Sequence, residues 1–181
     1  MIKIHTEEMA SDFEGTIIDL ETIGDFADGY DDSRRYRKIL PVIFGYIHRD
    51  GIRILCAEDR DSVSELGREI VNVLDSLKRP FYAFNAAFEQ GVLYHRTGKE
   101  VAFERELNAE TFESKKGAVK SLGIPDYGDP CKDNGWLCSQ EWLKGKIENA
   151  LLHNRSCLLK ERDILLKRGF RKPDALRFIE E

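Results

Sequence analysis

The chain has 181 residues, of which 41% are hydrophobic and 34% are charged, and its formal net charge is -5. This length suits one hydrophobic core and the composition is too apolar for a disordered chain, so we expect a single domain over residues 1–181. The longest apolar runs fall short of the roughly 18 residues that a membrane helix requires, so no membrane partner is expected. The negative balance gives no overall attraction for nucleic acid, and such a partner would depend on a local basic patch or on metal ions.

The start of the chain, "MIKIHTEEMASDFEG", carries acidic residues and lacks the apolar core of a signal peptide. The cysteines at positions 56, 131, 138 and 157 show no C-x-x-C spacing, which disfavours a zinc site and a disulfide framework. Together these features predict a cytoplasmic protein.

Basic residues cluster at two places, "RRYRK" over residues 34–38 and the lysines Lys115, Lys116 and Lys120. Either cluster is a candidate for phosphate contacts, and either is also compatible with ordinary solvated surface.

In the first half of the chain, apolar and β-branched runs predict three strands, at residues 16–20, 39–48 and 52–58. The Asp50-Gly51 pair between the last two favours a tight hairpin. The polar stretch between the first two, residues 24–38, is predicted to be a loop. From Ser62 onwards, apolar residues at spacings of three and four predict an amphipathic helix ending near residue 79, and Ser62 with Glu65 matches a capping box.

The second half alternates short strands with helices. "FYAFN" at 81–85 is predicted as a buried strand, and "AAFEQGVLYHRTGK" as a helix that stops at Gly98. A further short strand is expected at 107–109 and a short helix within "FESKKGAVKSLG". We expect Ser139 to cap a helix that reaches about residue 152, and a last helix over 156–169. This order predicts an α/β domain with a mixed five-stranded sheet flanked by helices.

Two acidic residues follow the first predicted apolar run, in "TIIDLETIG". Asp19 and Glu21 stand two residues apart on a strand, so their side chains point to the same face and can converge on one point at the strand end. Taken alone, such a pair is often just two solvated acids where a strand meets a loop.

The stretch "DLETIG" resembles D-x-E-T-x-G, the first motif of the DEDD family of 3′-to-5′ exonucleases, which opens a ribonuclease H-like fold. Phosphatases of the haloacid dehalogenase type use D-x-D at such a strand end, and actin-like sugar kinases use D-x-G. Glutamate at the third position favours the exonuclease family over both.

The second motif of that family has the form N-x-x-F-D, with the asparagine at the end of the fourth strand. This chain has "FNAAFEQGVL", which supplies Asn85, Phe88 and Glu89 at the matching positions, with an acid one methylene longer. Glutamate can still bind a hard divalent cation through oxygen. The alternative is an exposed helical glutamate with Asn85 as a helix cap.

The third motif reads H-N-x-x-D in one branch of the family. Here "LLHNRSCLLKE" supplies His153 and Asn154, but Cys157 stands where the last carboxylate belongs. Glu161 lies one helical turn beyond Cys157 on the same face and is a possible substitute, whereas Asp163 points elsewhere. Without the acid, His153 is also compatible with a residue at a helix entry. The resemblance covers residues 16 to about 167, within a core of about 14–169.

The resemblance implies hydrolysis of phosphodiester bonds in single-stranded DNA or RNA with two Mg²⁺ or Mn²⁺ ions. Asp19, Glu21 and Glu89 would hold the metal, with Cys157 or Glu161 at the fourth position, and His153 would act as general base. The remaining residues implied in substrate binding are Thr22, Ile23, Gly24, Asn85, Asn154, Lys115 and Lys116.

Cys157 leaves a second hypothesis open. A thiol is soft and, with a reference pKa near 8.5, mostly protonated at neutral pH, so it is a poor ligand for magnesium. The chain would then be a weakened or inactive nucleic-acid-binding or scaffold domain of the same fold.

Overall fold

A computed structural model describes residues 1–180 of the chain. Those residues form one mixed sheet of six strands in the order β1-β4-β3-β2-β5-β6. The strands are β1 (Ile2–Glu8), β2 (Thr16–Ile23), β3 (Leu40–His48), β4 (Gly51–Ala57), β5 (Phe81–Ala83) and β6 (Arg105–Glu106). The helices are α1 (Val63–Leu74), α2 (Ala86–Thr97), α3 (Lys115–Ser121), α4 (Gly135–Leu143) and α5 (Ile147–Arg168), with a 3₁₀ turn at Ser33–Tyr36. The predicted α/β class with a mixed sheet and flanking helices is confirmed, and the sheet has six strands where five were predicted.

The additional strand is β1, at one edge of the sheet. It pairs antiparallel with β4 over its whole length, from Ile2 opposite Ala57 to Glu8 opposite Gly51. Its sequence, "IKIHTEE", is mostly polar because an edge strand has fewer covered positions than a central one. This polarity is the reason that the apolar pattern did not predict it.

The antiparallel strands β1, β4, β3 and β2 are followed in the sheet by β5 and β6, which run parallel to β2. Nearly every residue of β2 and β3 is buried, so both faces of the central sheet are covered. Helix α5 packs across β2, β3 and β4, and α1 packs against β3 and β4. The predicted hairpin between β3 and β4 is present, with Gly51 as the first residue of β4.

The two helices expected at 139–152 and 156–169 are placed differently. Helix α5 is continuous for 22 residues, and the break falls before it, at Gly145, which has a φ of 77°. Asn134, rather than Ser139, caps α4 by accepting a hydrogen bond from the Leu137 amide. A glycine at positive φ favours the end of a helix, and no such residue stands between 152 and 156, where the boundary was predicted.

Two smaller predictions also need correction. The Ser62 hydroxyl bonds to Asp59 in the preceding turn and does not form the predicted capping box. The strand expected at 107–109 lies two residues earlier, at Arg105–Glu106. Among the helices of residues 1–180, none is long and apolar enough to cross a bilayer.

Candidate functional site

A cleft of about 500 Å³ opens beside β2, between the start of α2, α3, α4 and the middle of α5. Residues from all three sequence motifs line it, namely Asp19, Glu21, Thr22, Gly24, Asn85, Phe88, Glu89, His153 and Cys157. Segments far apart in the chain are therefore brought together at one place.

Asp19 and Glu21 lie within β2 rather than at its end, because the strand continues to Ile23 after a register shift between Glu21 and Thr22. Their carboxyl groups are buried, with 5% and 6% of each residue exposed, so they are not two solvated acids. Burial raises the pKa of Glu21 to about 7, with Asp19 adding to the rise and His153 opposing it. A rise of this kind shows that the positive charge near the Glu21 carboxylate does not compensate for its burial.

Asn154 holds the two acids in place from α5. Its Nδ2 donates to Asp19 Oδ2 at 2.8 Å and lies 3.4 Å from Glu21 Oε1. Gly45 on β3 is the strand partner of Asp19 on β2. A Cβ at Gly45 would lie 1.9 Å from Asn154 Oδ1. Gly45 therefore makes room for the amide. The available sequence signal was a glycine inside the apolar strand "VIFGYI", which marks a close approach.

Lys115, expected beside the phosphates of a substrate, forms ion pairs within this acidic group. Its Nζ lies 2.8 Å from Asp19 Oδ1 and 2.5 Å from Glu161 Oε1, and its side chain is 18% exposed. Burial alone would raise the pKa of Asp19, but the Lys115 ammonium outweighs it and holds that pKa below its ordinary value. Glu161 is fully buried, and burial raises its pKa well above the usual range despite Lys115. Lys116, the neighbouring residue, is exposed.

Glu89 lies in the first turn of α2 and is 4% exposed, so it is not a solvated helical acid. Burial raises its pKa well above the usual value, and the charges of Asp19 and Glu161 raise it further. Among residues 1–180, no hydrogen-bond donor satisfies Glu89 Oε2. A buried carboxylate without a donor is costly unless a cation neutralises it.

His153 lies in the second turn of α5 and not at its entry. Its Nδ1 is 2.7 Å from Asp129 Oδ1, and its Nε2 faces the cleft, 3.7 Å from Glu21 Oε1. Burial lowers the pKa of His153, but Glu21, Cys157 and Asp129 together outweigh it and raise that pKa. The imidazole is therefore fixed in orientation, with one nitrogen held and the other presented to the cleft.

Asp129 is a site residue that the sequence did not reveal. Its side chain is fully buried and accepts hydrogen bonds from the amides of Cys131 and Asp133. Lys160, also fully buried, donates to Asp129 Oδ2 at 2.9 Å. These contacts place an ionised carboxylate behind the His153 ring. The loop "PDYGDPCKD" offered no pattern that separates Asp129 from its acidic neighbours.

Cys157 lies beside the acidic pair, and its sulfur is within 4.8 Å of ligand oxygens of Asp19 and Glu21. Burial raises the pKa of its thiol to about 11, with Lys115 opposing the rise. The group therefore remains a neutral thiol at physiological pH unless a cation displaces its proton.

Two exposed aromatic side chains stand at the rim of the cleft. Trp136, near the start of α4, is 71% exposed, and Phe26 is 47% exposed. The rings of Phe26, Tyr36 and Phe88 pack edge to face, with centroids about 6 Å apart. Trp136 was not among the predicted residues, because a single tryptophan in a loop-to-helix junction carries no distinguishing pattern.

Only some of the other residues predicted to bind substrate line the cleft. Thr22, Gly24 and Asn85 line the cleft, whereas Ile23 is buried in the core. Asn154 acts on the acids rather than on the open space of the cleft. Gly24 has a φ of 98°, and a Cβ there would lie 2.3 Å from the Lys38 carbonyl oxygen, so the turn after β2 requires glycine.

The donor set fits a hard divalent cation. Asp19, Glu21 and Glu89 offer carboxylate oxygens at one cleft, and Glu89 Oε2 is buried without a donor among residues 1–180. Mg²⁺ and Mn²⁺ prefer such oxygens together with water. The Lys115 ammonium already supplies one positive charge to Asp19, so a metal at that oxygen competes with it.

No family model matches the chain, and no match was found among curated proteins or solved structures. The chemistry of the cleft therefore supplies the grounds for a functional assignment.

Proposed function

We propose that the chain is a metal-dependent 3′-to-5′ exonuclease of ribonuclease H-like fold that acts on single-stranded DNA or RNA. The observation that carries the proposal is the convergence of Asp19, Glu21, Glu89 and His153 on one cleft. These residues come from β2, α2 and α5, as the three motifs require. The antiparallel strands β2 to β4, followed by β5 and β6 parallel to β2, also support a ribonuclease H-like domain.

Asp19, Glu21 and Glu89 would hold two Mg²⁺ or Mn²⁺ ions. When bound, such ions lower the pKa of an attacking water and stabilise charge on the entering and leaving oxygens. Asn154 keeps the carboxylates of Asp19 and Glu21 on the same side of the strand by its hydrogen bonds to both.

Once metal ions offset the charge of Glu21 that raises the pKa of His153, the imidazole would take the proton of the attacking water at Nε2, the nitrogen that faces the cleft. Asp129 can only accept a hydrogen bond in its ionised form, so it keeps a proton on Nδ1 and fixes the ring. Lys160 in turn holds Asp129. This arrangement orients the base before the substrate arrives.

The aromatic rim supports a single-stranded substrate. Trp136 and Phe26 present exposed ring surface at the entrance of the cleft. Unpaired bases stack on such rings with little regard to sequence, whereas paired bases in a duplex do not offer their faces. The net charge of -5 means that this stacking, with the metal, carries much of the attraction.

Two observations favour a second candidate, a nucleic-acid-binding domain without catalysis. Cys157 replaces the fourth acid, and the Lys115 ammonium forms ion pairs with Asp19 and Glu161. In such a domain the lysine would stabilise the fold in place of the ion. The two candidates differ in whether divalent metal binds and whether the strand is shortened.

The experiment is to incubate 5′-labelled single-stranded DNA and RNA with the protein in Mg²⁺, Mn²⁺ or chelator. Stepwise shortening from the 3′ end with metal, and none with chelator, is the expected result. Asp19→Asn should abolish shortening, whereas Asp12→Asn, at an exposed acid outside the cleft, should not. Cleavage that persists in Asp19→Asn would contradict the proposal, and binding without shortening would favour the second candidate.

A further inference from the structure

Several potential metal ligands surround Nε2 of His153, and two of them are thiols, which are softer ligands than the carboxylates of the proposed magnesium centre. Nε2 lies 3.7 Å from Glu21 Oε1 and 3.7 Å from Cys157 Sγ. Ligand atoms of Glu21, Cys138 and His153 all lie within 4.8 Å of one another. All four residues are buried, with at most 6% of their surface exposed.

These separations are close to those of a tetrahedral zinc site. With Zn–N and Zn–S bonds of about 2.0–2.3 Å, the ligand atoms of such a site lie roughly 3.3–3.8 Å apart. The separations of Nε2 from Glu21 and from Cys157 already fall in this range. Cys138 Sγ lies within 4.8 Å of ligand atoms of Glu21 and His153, so it has to move inward to share one ion with them.

On the other side of the His153 ring, Nδ1 contacts a carboxylate, as in many zinc-binding histidines. A histidine that binds zinc usually donates its second ring N–H to a carboxylate, which fixes the tautomer and strengthens the ligand. Asp129 Oδ1 lies 2.7 Å from Nδ1 and is itself held by Lys160 and by two backbone amides. The same geometry that would orient a general base therefore also points Nε2 at a bound metal, which would displace the proton from that nitrogen.

We propose that Glu21, Cys138, His153 and Cys157 form a binding site for one zinc ion. Two thiolates and an imidazole prefer zinc to magnesium, because Mg²⁺ favours oxygen ligands and water. The spacing of the cysteines, which disfavours zinc at the sequence level, does not apply, because the fold and not a C-x-x-C segment brings them together.

The surroundings can accommodate the charge of such a site. Zinc with two thiolates and one carboxylate carries a net charge of -1, the same charge that an ionised Glu21 gives this site when its two thiols and its imidazole are neutral. Glu21, His153 and Cys157 line the cleft, so the ion has a path from solvent, and Cys138 is buried on α4.

Zinc at this site would exclude the metal of the proposed nuclease, because Glu21 would belong to both. We therefore expect zinc to inhibit shortening of the strand. This consequence rests on the proposed function, whereas zinc binding does not, and it is measured without nucleic acid.

The test is titration of the metal-free protein with Co²⁺ and with Zn²⁺. Cobalt bound by thiolates gives an intense charge-transfer absorption, and zinc should abolish it by displacement at one equivalent. Cys138→Ala should remove most of that absorption and weaken zinc binding at least tenfold, and Asp129→Asn should weaken it by about 10- to 100-fold. Cys56→Ala, at a buried cysteine on β4, is the matched control. It should change neither the cobalt absorption nor the zinc affinity.

X-ray absorption of the wild-type zinc complex makes the test independent of any variant that folds poorly. Two sulfur neighbours at about 2.3 Å are expected. A zinc shell of only oxygen and nitrogen, or a cobalt absorption that Cys138→Ala leaves intact, would overturn the site. If the strand is shortened, zinc should inhibit the wild type and Cys56→Ala but much less Cys138→Ala. Absence of any nuclease activity would count against the proposed function alone, since the cobalt and zinc titrations still decide the site.

Discussion

The ammonium of Lys115 lies 2.8 Å from Asp19 Oδ1, inside the acidic group that the sequence motifs assign to metal binding. The same nitrogen is 2.5 Å from Glu161 Oε1. One ammonium therefore supplies a single positive charge to two buried acids, Asp19 and Glu161. A metal that binds Asp19 has to share it with this ammonium or displace it.

Lys115→Met should lower stability in chelator, because it leaves Asp19 and Glu161 buried without their cation. Removing one partner of a buried pair typically costs about 3 kcal/mol or more. Added Mg²⁺ or Mn²⁺ should restore more of the melting temperature in this variant than in the wild type, since metal binding stabilises only the folded state. Thermal melts in chelator and across a metal titration measure both effects.

Lys116→Met is the matched control, because Lys116 is the exposed neighbour of Lys115 on α3. It should leave the chelator melting temperature and the metal response unchanged. Equal responses of the two variants would show that Lys115 does not compete with metal for Asp19.

Gly45→Ala should disturb the site from the neighbouring strand. The added Cβ would lie 1.9 Å from Asn154 Oδ1, so the amide that holds Asp19 has to move. We expect a loss of about 1–3 kcal/mol in unfolding free energy, typical of overpacking, and weaker metal binding. Urea unfolding and metal calorimetry give the two values.

Gly135→Ala serves as the comparison for that loss. A Cβ built at Gly135 would have open space around it. Within residues 1–180, no heavy atom lies within 4 Å of it, apart from its neighbours in the chain and the backbone of its own helix. Stability should therefore be unchanged or slightly higher. A Gly45→Ala protein with normal metal affinity would mean that Asn154 does not position the acids.

The sequence predicts the role of a residue when that role depends on a local motif. Asp19, Glu21, Glu89 and His153 stand at fixed positions in local motifs, and the structure places all four at one cleft. Their burial within β2, α2 and α5 depends on packing that no motif contains.

Other features arise only in three dimensions. The role of Gly45 depends on a side chain more than one hundred positions away, that of Asn154. Asp129 and Cys138 reach His153 through the path of the loop before α4, which follows from packing rather than from periodicity. Strand β1 was missed because an edge position permits polar residues, and the break before α5 was misplaced because one glycine determines it.

Trp136→Ala should weaken binding of a single-stranded oligonucleotide in chelator. Loss of one base-stacking ring costs about 1–3 kcal/mol, which is roughly a 5- to 150-fold weaker affinity. The slope of affinity against salt should not change, because no charge is removed. In the wild type, Trp136 fluorescence should be quenched on binding, and the buried Trp142 gives a constant background.

Phe112→Ala provides the control for surface aromatic loss, because Phe112 is 95% exposed and lies outside the cleft. Its affinity for the oligonucleotide should equal that of the wild type. Equal losses in the two variants would move the binding path away from the rim formed by Trp136 and Phe26.

Cys157→Asp replaces the thiol at the place where the exonuclease motif has its fourth carboxylate. Aspartate is close to cysteine in size, and the neighbouring His153 and Asn154 already match the motif. A fourth carboxylate beside Asp19, Glu21 and Glu89 adds repulsion when no metal is present and an oxygen ligand when one is. We therefore expect a lower melting temperature in chelator, recovery with Mg²⁺, and tighter Mg²⁺ binding than in the wild type. Zinc affinity should fall in the same variant, because one of the two proposed thiolate ligands is lost.

Glu161→Gln tests whether Glu161, rather than a residue at position 157, supplies the fourth metal ligand. If Glu161 already supplies the missing ligand, Glu161→Gln should reduce Mg²⁺ affinity strongly and Cys157→Asp should gain little. If Glu161 serves to hold Lys115, as the 2.5 Å ion pair suggests, Glu161→Gln should mainly change stability in chelator and leave Mg²⁺ affinity nearly intact. Calorimetric Mg²⁺ titrations of both variants under one buffer distinguish these outcomes. A lack of change in Mg²⁺ affinity in both would count against a metal centre at this end of α5 and in favour of the binding domain without catalysis.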